Sequence, residues 1–382
     1  MSQNTVPVPQ RGNEYFDRMR QEKDPLADSV VDELFREGTI ENVNLVMRTL
    51  VANDGIDSAE FPPQVAKFLQ DTSKWPTWAD PARIENGQQL FWRYGPKIIA
   101  ILHCYSLPFC YAAEKGVQVL ALTGRLSSNP TRRIIETAQM VVDVLSPGGM
   151  DPGSGKGILT AQKVRLMHAA VRRLTLQSGR WNPDWDQPIN QEDLVGTLLS
   201  FSWVVLDGLQ KLGIEVTGAE AEDYQHCWNV VGYILGIREE LLPQSAKEAG
   251  ELASSIKSRL YANCKEGEEM TAALVGMMTH IVPGDAFDFA PAALIRYLMG
   301  EEDAALIGVH PNALSGLLQH PARLLIRGGS KTLQGVGYYG PLSETFSRLL
   351  IVGLIHVMRQ GNRPSFQIPQ VLRQRWGIEW TS

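Results

Sequence analysis

The 382-residue chain lacks most of the features that announce a chemistry outright. It has four cysteines, Cys104, Cys110, Cys227 and Cys264, and no two of them form a CxxC pair. Zinc ribbons and thioredoxin-type redox sites are therefore unsupported, and so is covalent haem attachment, which needs CxxCH. A few scattered cysteines in a long chain fit a reducing compartment better than a disulfide framework. Lysine and arginine never run beyond two in a row, and the formal charge is −6. A nucleic-acid partner is not expected, because that footprint needs clustered basic charge. No basic segment followed by an apolar run opens the sequence, so the expected location is cytoplasmic. Residues 98–113 carry no charge. That run is shorter than the roughly twenty residues a bilayer span needs. It contains His103, Ser106 and Pro108 and reads as a buried helix with a proline break; contact of an apolar face with a membrane surface is the alternative.

Catalytic signatures are equally scarce. Neither G-x-S-x-G nor HExxH occurs, which leaves serine-hydrolase and zinc-protease readings without support. The stretch PGGMDPGSGKG at 147–157 imitates a P-loop and fails as one. Position 150 is Met where the first glycine belongs, Gly157 replaces the Mg-binding hydroxyl, and a helix rather than a strand precedes it. Glu222 and His226 stand four apart on one helical face, a fragment of a non-haem iron site, but no second copy accompanies them.

What is present is helical periodicity over nearly the whole length. Hydrophobic residues make up 44% and charged residues 20%, an ordinary globular balance in a chain long enough for a sizeable core. Ile134, Ala138, Val141 and Leu145 mark a helix over 131–145. Val164, Met167, Val171 and Leu174 form the apolar stripe of another over 159–177, which carries His168 and is decorated by Arg165, Arg172 and Arg173. Residues 190–212 predict one long helix capped by Asn190, and Thr217-x-x-Glu220 is a capping box for the next. Asp28 is read as the cap of a helix near the N-terminus. Further helices are expected at 39–53, 61–68, 244–262, 268–281, 291–299, 312–327 and 341–358. Period-two strands are nearly absent. The expectation is all-α: a disordered tail over 1–12, then a single large helical domain over 13–382.

Two groups of residues offer chemistry. His168 lies among apolar neighbours, where an imidazole is either a packed structural residue or a metal ligand. A haem ligand needs a rigid element and a second ring nitrogen fixed by a hydrogen bond. Arg133 and Thr137 share a helical face one turn apart, where a guanidinium and a hydroxyl stabilise charge on bound O2, or form an ordinary surface Arg and a helix-bonded Thr.

The segments RRIIET, KVRLMHAAVRR, PINQEDLVGTLLSFS and DYQHCWNVVGYILGI, in that order and spacing, resemble the latex-clearing rubber oxygenase family, which includes fungal membrane-bound oxygenases that cleave a farnesyl chain. The resemblance is strongest over 94–243. It implies an all-α fold with a globin-like core and one haem b, whose iron (metal ligand His168) takes O2. It implies that Arg133 and Thr137 form the family's Arg-x-x-x-Thr pair at the haem, and that the reaction cleaves an isoprenoid C=C bond to a ketone and an aldehyde. Some rubber oxygenases place a lysine just before that threonine as a distal iron ligand; here the position is Glu136. The family's glutamate base maps nearest to Glu114. Cations for the haem propionates are expected among Lys163, Arg165 and Arg172. The secreted rubber degraders carry an export signal, so solid extracellular rubber is not the expected substrate here. The competing readings are a haem peroxidase or monooxygenase on another apolar substrate, a haem or O2 binding protein without turnover, and a helical interaction protein without cofactor.

Overall fold

The structure is a computed structural model. It describes residues 12–37, 61–123, 130–282, 287–311 and positions 346, 347, 349–351 and 354, with the backbone alone of 130–133. The helices expected at 39–53, 312–327 and 341–358 lie wholly or mostly outside the described residues, as does the 1–12 tail apart from Gly12. Among the described residues the chain is helical throughout, with a lone antiparallel bridge between Ala113 and Tyr261.

The helices are α1 (Asn13–Gln21), α2 (Pro25–Glu37), α3 (Pro63–Thr72), α4 (Pro81–Ile101), α5 (Leu107–Tyr111), α6 (Glu114–Leu122), α7 (Pro130–Leu145), α8 (Lys156–Gln177), α9 (Gln191–Phe201) and α10 (Trp203–Lys211). They continue with α11 (Gly218–Ile234), α12 (Ala246–Leu260), α13 (Lys265–Ile281), α14 (Ala290–Met299) and α15 (Glu301–Leu306). A π-helical segment, Leu102–Ser106, joins α4 to α5.

Contacts gather the chain into two compact units. The first comprises Met1–Gln89, Gln139–Leu198 and Glu222–Ser254; the second comprises Leu90–Ala138, Leu199–Ala221 and Ser255–Ser382. Each is assembled from three stretches, so neither is a continuous segment that one cut would release.

In the first unit, α2, α3 and α8 bury one another. Ala27, Val30, Val31 and Leu34 of α2 meet Val65, Phe68 and Leu69 of α3 and Leu166, Ala169 and Ala170 of α8. Each large side chain removed from water there contributes roughly 1.5–3 kcal/mol. The small Ala169 and Ala170 let the backbones approach. Gly157 does the same at the start of α8, where an added Cβ would lie 2.6 Å from Val144 Cα at the end of α7. The glycine-rich 147–157 turn is thus a packing elbow, with Gly157 N–H donating to Gly149 O at 2.7 Å.

In the second unit, the π segment packs on α5, α10 and α14. Its Ser106 hydroxyl donates to Ser200 O at 2.6 Å. That bond lies beside a break: Ser202, at φ −100 and ψ −84, splits the single helix expected over 190–212 into α9 and α10.

The caps largely follow the residues. Asn190 Oδ1 accepts Asp193 N–H at 2.9 Å, and Thr217 and Glu220 exchange the two bonds of a capping box. At α2 the cap is Asp24, whose Oδ1 accepts Ala27 N–H, and Asp28 falls in the first turn instead.

Candidate active site

Helix α8 carries His168 and is apolar on more than one side. The buried row is Leu166, Ala169 and Ala170, against α2 and α3. The stripe Val164, Met167, Val171, Leu174 is half-buried over its first three members, and Leu174 is 50% exposed. The smaller residues of the buried row allow the closer packing. His168 belongs to the row Gly157, Ala161, Val164, His168, Val171 and Thr175, spaced as one helical face opposite that core. Gly157, Ala161 and Thr175 are buried, whereas Val164, His168 and Val171 at the centre are half-buried.

Three Arg–Asp pairs fix this helix on α2. Arg165 grips Asp24 with Nε at 2.6 Å and Nη2 at 2.9 Å, and its Nη1 donates to Ile234 O at 3.2 Å. Gly236, at φ +85, passes so close that an added Cβ would lie 2.5 Å from Arg165 Nε. Arg172 Nε meets Asp28 Oδ1 at 2.8 Å and its Nη1 donates to Ile189 O at 2.7 Å. Arg173 pairs with Asp32. The carboxylates recur every fourth residue, from the cap of α2 into its first three turns. The guanidinium groups expected to serve propionates are thus engaged by aspartates, and buried Lys163 shares a helical row with Leu166 and Ala170, on the core side.

The end of α7 is tied to the start of α8 through Asp143. Its carboxylate accepts from Gln139 Nε2 at 2.7 Å and Thr160 Oγ1 at 2.9 Å, with Lys156 Nζ at 3.5 Å. Burial raises the Asp143 pKa, against the pull of Lys156 and these bonds. Thr137 and Glu136, both half-buried, stand earlier on α7, in the stretch that belongs to the second unit. Arg133 is on the same helix, and its side chain lies outside the described residues. Glu114 sits exposed in the first turn of α6, where the helix N-terminus favours a carboxylate.

Among the described residues, the buried histidines are His226 and His103. His226 Nε2 accepts the Asp80 backbone N–H at 2.9 Å, which requires that nitrogen to be unprotonated, and burial lowers its pKa to about 4. Glu222 accepts Ala246 N–H at 3.0 Å, so the Glu222/His226 pair caps helices. His103, in the π segment, has its Nδ1 2.7 Å from Ile99 O, and burial pushes its pKa down to about 4. The Nδ1–H therefore donates, leaving a lone pair on Nε2, for which the described residues provide no hydrogen-bond partner. Sequence reasoning gave His103 no role. A histidine four residues after a main-chain carbonyl is invisible as a tautomer lock until the helix is built.

Among the described residues no three His, Cys, Asp or Glu side chains converge to hold a metal ion. None of the described helices is long and apolar enough to cross a membrane.

A family described as "ER-bound oxygenase mpaB/B'/Rubber oxygenase, catalytic domain" matches residues 112–382. The chain belongs to this family. The rubber oxygenase of Streptomyces sp. (strain K30) is 27% identical over 366 residues, spanning 92% of this chain and 86% of its own. A solved structure of a latex clearing protein, LCP, in the closed state matches with a TM-score of 0.70 at 25% identity, covering 87% of this chain and 91% of that one. The chain is therefore an all-α oxygenase of the rubber oxygenase family, as RRIIET, KVRLMHAAVRR and their neighbours imply.

Proposed function

We propose that this rubber oxygenase family member binds haem b through His168 and uses O2 to cleave a C=C bond of an isoprenoid or other unsaturated apolar molecule to carbonyl products. The observation that carries the reading is the half-buried apolar row around His168, in mid-helix, on a helix whose opposite face is fully packed. The residues fit the group. Porphyrin brings four nitrogen ligands of its own, so a single imidazole completes its binding without a protein-built metal cage. Val164 and Val171, half-buried on either side of His168, would give its flat face an apolar wall.

Haem iron would supply the O2 activation that no side chain can. The chain's residues do the rest. His168 would ligate the iron from a rigid helix. Val164, Met167 and Val171 would keep water from the haem on the His168 side. Arg133 and Thr137 would donate hydrogen bonds to negative charge on the reacting oxygen. Arg165 and Arg172 act indirectly, by fixing α8 on α2. Glu114, exposed at a helix start, is given no step. Glu136 stands where some rubber oxygenases carry a lysine, so a lysine from that position would not reach the iron here.

A rival ligand is His103, whose Nδ1–H is tied to a carbonyl and whose Nε2 lone pair is buried. Absorption spectra of His168→Ala and His103→Asn decide between them. Loss of the Soret band in His168→Ala alone supports the assignment; loss in His103→Asn alone overturns it. Turnover is tested with O2 and a farnesyl compound, by trapping the aldehyde and ketone. A haem-loaded protein that gives no carbonyl product from any isoprenoid would make it a binding protein instead.

A further inference from the structure

We infer that Arg172 is a positioning residue for His168, and that the turn at residues 186–189 is strained in order to hold it; this rests on the reading of His168 as haem ligand. Arg172 lies one helical turn beyond His168 on α8 and is 2% exposed. Its guanidinium has two anchors, the Asp28 carboxylate at 2.8 Å and the Ile189 carbonyl at 2.7 Å. The second anchor is costly. Among the described residues the two non-glycine positions with positive φ are Asp186, at 65°, and Ile189, at 52°. A β-branched residue in the left-handed region crowds its Cβ against the backbone and persists only where the surroundings enforce it.

The surroundings do enforce it. Arg20 Nε binds Asp186 Oδ2 at 2.5 Å, Gln187 N–H donates to Arg20 O at 3.2 Å, and Trp181 Nε1 donates to Asp186 O at 2.8 Å. The turn is clamped on three sides, and what it delivers is a carbonyl oxygen to a buried guanidinium. A guanidinium held at two of its nitrogens cannot rotate about the helix axis, so the helical turn that bears His168 cannot either. Strain spent on a surface turn would be removed by a glycine at 189; here it fixes the direction of an imidazole one turn away.

The test uses the full chain loaded with haem, followed by the rate of haem loss to an excess of a haem-scavenging apoprotein and by the Soret spectrum, both well below the unfolding temperature. Arg172→Lys keeps the charge and loses the fork; it is expected to lose haem ~10–100-fold faster, the effect usual for a residue that orients a metal ligand, with a shifted Soret band. Ile189→Gly relaxes the turn without touching a side-chain contact of Arg172. It is expected to keep or raise the unfolding temperature and yet to release haem faster. A purely structural role would move haem loss and unfolding temperature together. Arg172→Lys with wild-type haem loss and spectrum overturns the inference, and Ile189→Gly with wild-type haem loss overturns the part assigned to the turn. Should Arg172→Lys not fold, Asp28→Asn removes the other anchor's charge and is read the same way. A wild-type chain that takes up no haem would instead defeat the underlying reading.

Discussion

The two sides of α8 are both apolar, and they meet different fates. On one side Leu166, Ala169 and Ala170 are buried against α2 and α3. On the other, Val164, His168 and Val171 stay half-buried although the same row is closed at both ends by Gly157 and Thr175. Composition cannot tell the sides apart; packing can. A scattered exposed apolar residue means little, but an apolar row left half-buried in mid-helix beside an imidazole is the observation on which the proposed haem site rests.

The largest expected loss comes from the clamp that sets the packed side. Arg165→Met strands the Asp24 carboxylate, 4% exposed, without its partner. Breaking a buried pair this way costs about 3–5 kcal/mol. The double variant Arg165→Met/Asp24→Asn should recover part of it in chemical denaturation, since it removes the stranded charge and keeps an oxygen to cap α2. Leu166→Ala, in the packed row itself, is expected to cost about 2–5 kcal/mol through the cavity it leaves. A loss below 1 kcal/mol for Leu166→Ala would mean that the two sides are not packed differently after all.

Much of this was legible in the sequence, and the failures have physical causes. Most helices within the described residues, the Thr217/Glu220 box and the Asn190 cap follow from local chemistry and stand where local chemistry puts them. The family was legible from four short segments. The facing of α8 was not, because large apolar residues mark one stripe while small ones permit closer contact on another. The partners of Arg165, Arg172 and Arg173 were also hidden: Asp24, Asp28 and Asp32 lie more than a hundred residues earlier, and only their recurrence at every fourth residue hints at a ladder. The break at Ser202 depends on tertiary context, including the Ser106 hydroxyl that takes the Ser200 carbonyl. The π segment carries no residue pattern that separates it from an α-helix.

The buried histidines give a smaller effect, set by pH. His226, like His103, has its pKa lowered to about 4 from the ordinary value near 6.5, first of all by burial. The folded state thus resists a proton that the unfolded chain accepts. The stability that His226 supplies is present above about pH 6.5 and is lost as the pH falls toward 4, an amount of about 1–3 kcal/mol. Urea midpoints measured from pH 7 to pH 4 should fall less steeply for His226→Asn than for the wild type. Equal slopes would show that the Asp80 N–H to His226 bond does not govern the titration.

The smallest effects belong to the unpacked side, and there the sign of the comparison depends on the cofactor. Leu174→Ser, at a half-exposed position, should change stability by no more than about 0.5 kcal/mol. Val171→Ala removes two methyl groups from a half-buried site beside His168. In the haem-free protein those groups are already partly in water, so truncation should cost little. With haem in place they become buried, and each carbon removed is then worth about 0.8 kcal/mol. The expected result is a Val171→Ala cost that rises by about 1 kcal/mol on loading with haem, while the Leu166→Ala cost stays the same in both forms. A Val171→Ala cost that is large without haem and unchanged by it would mean that this side of α8 is packed by protein, and that the row around His168 is core rather than a place for a ligand.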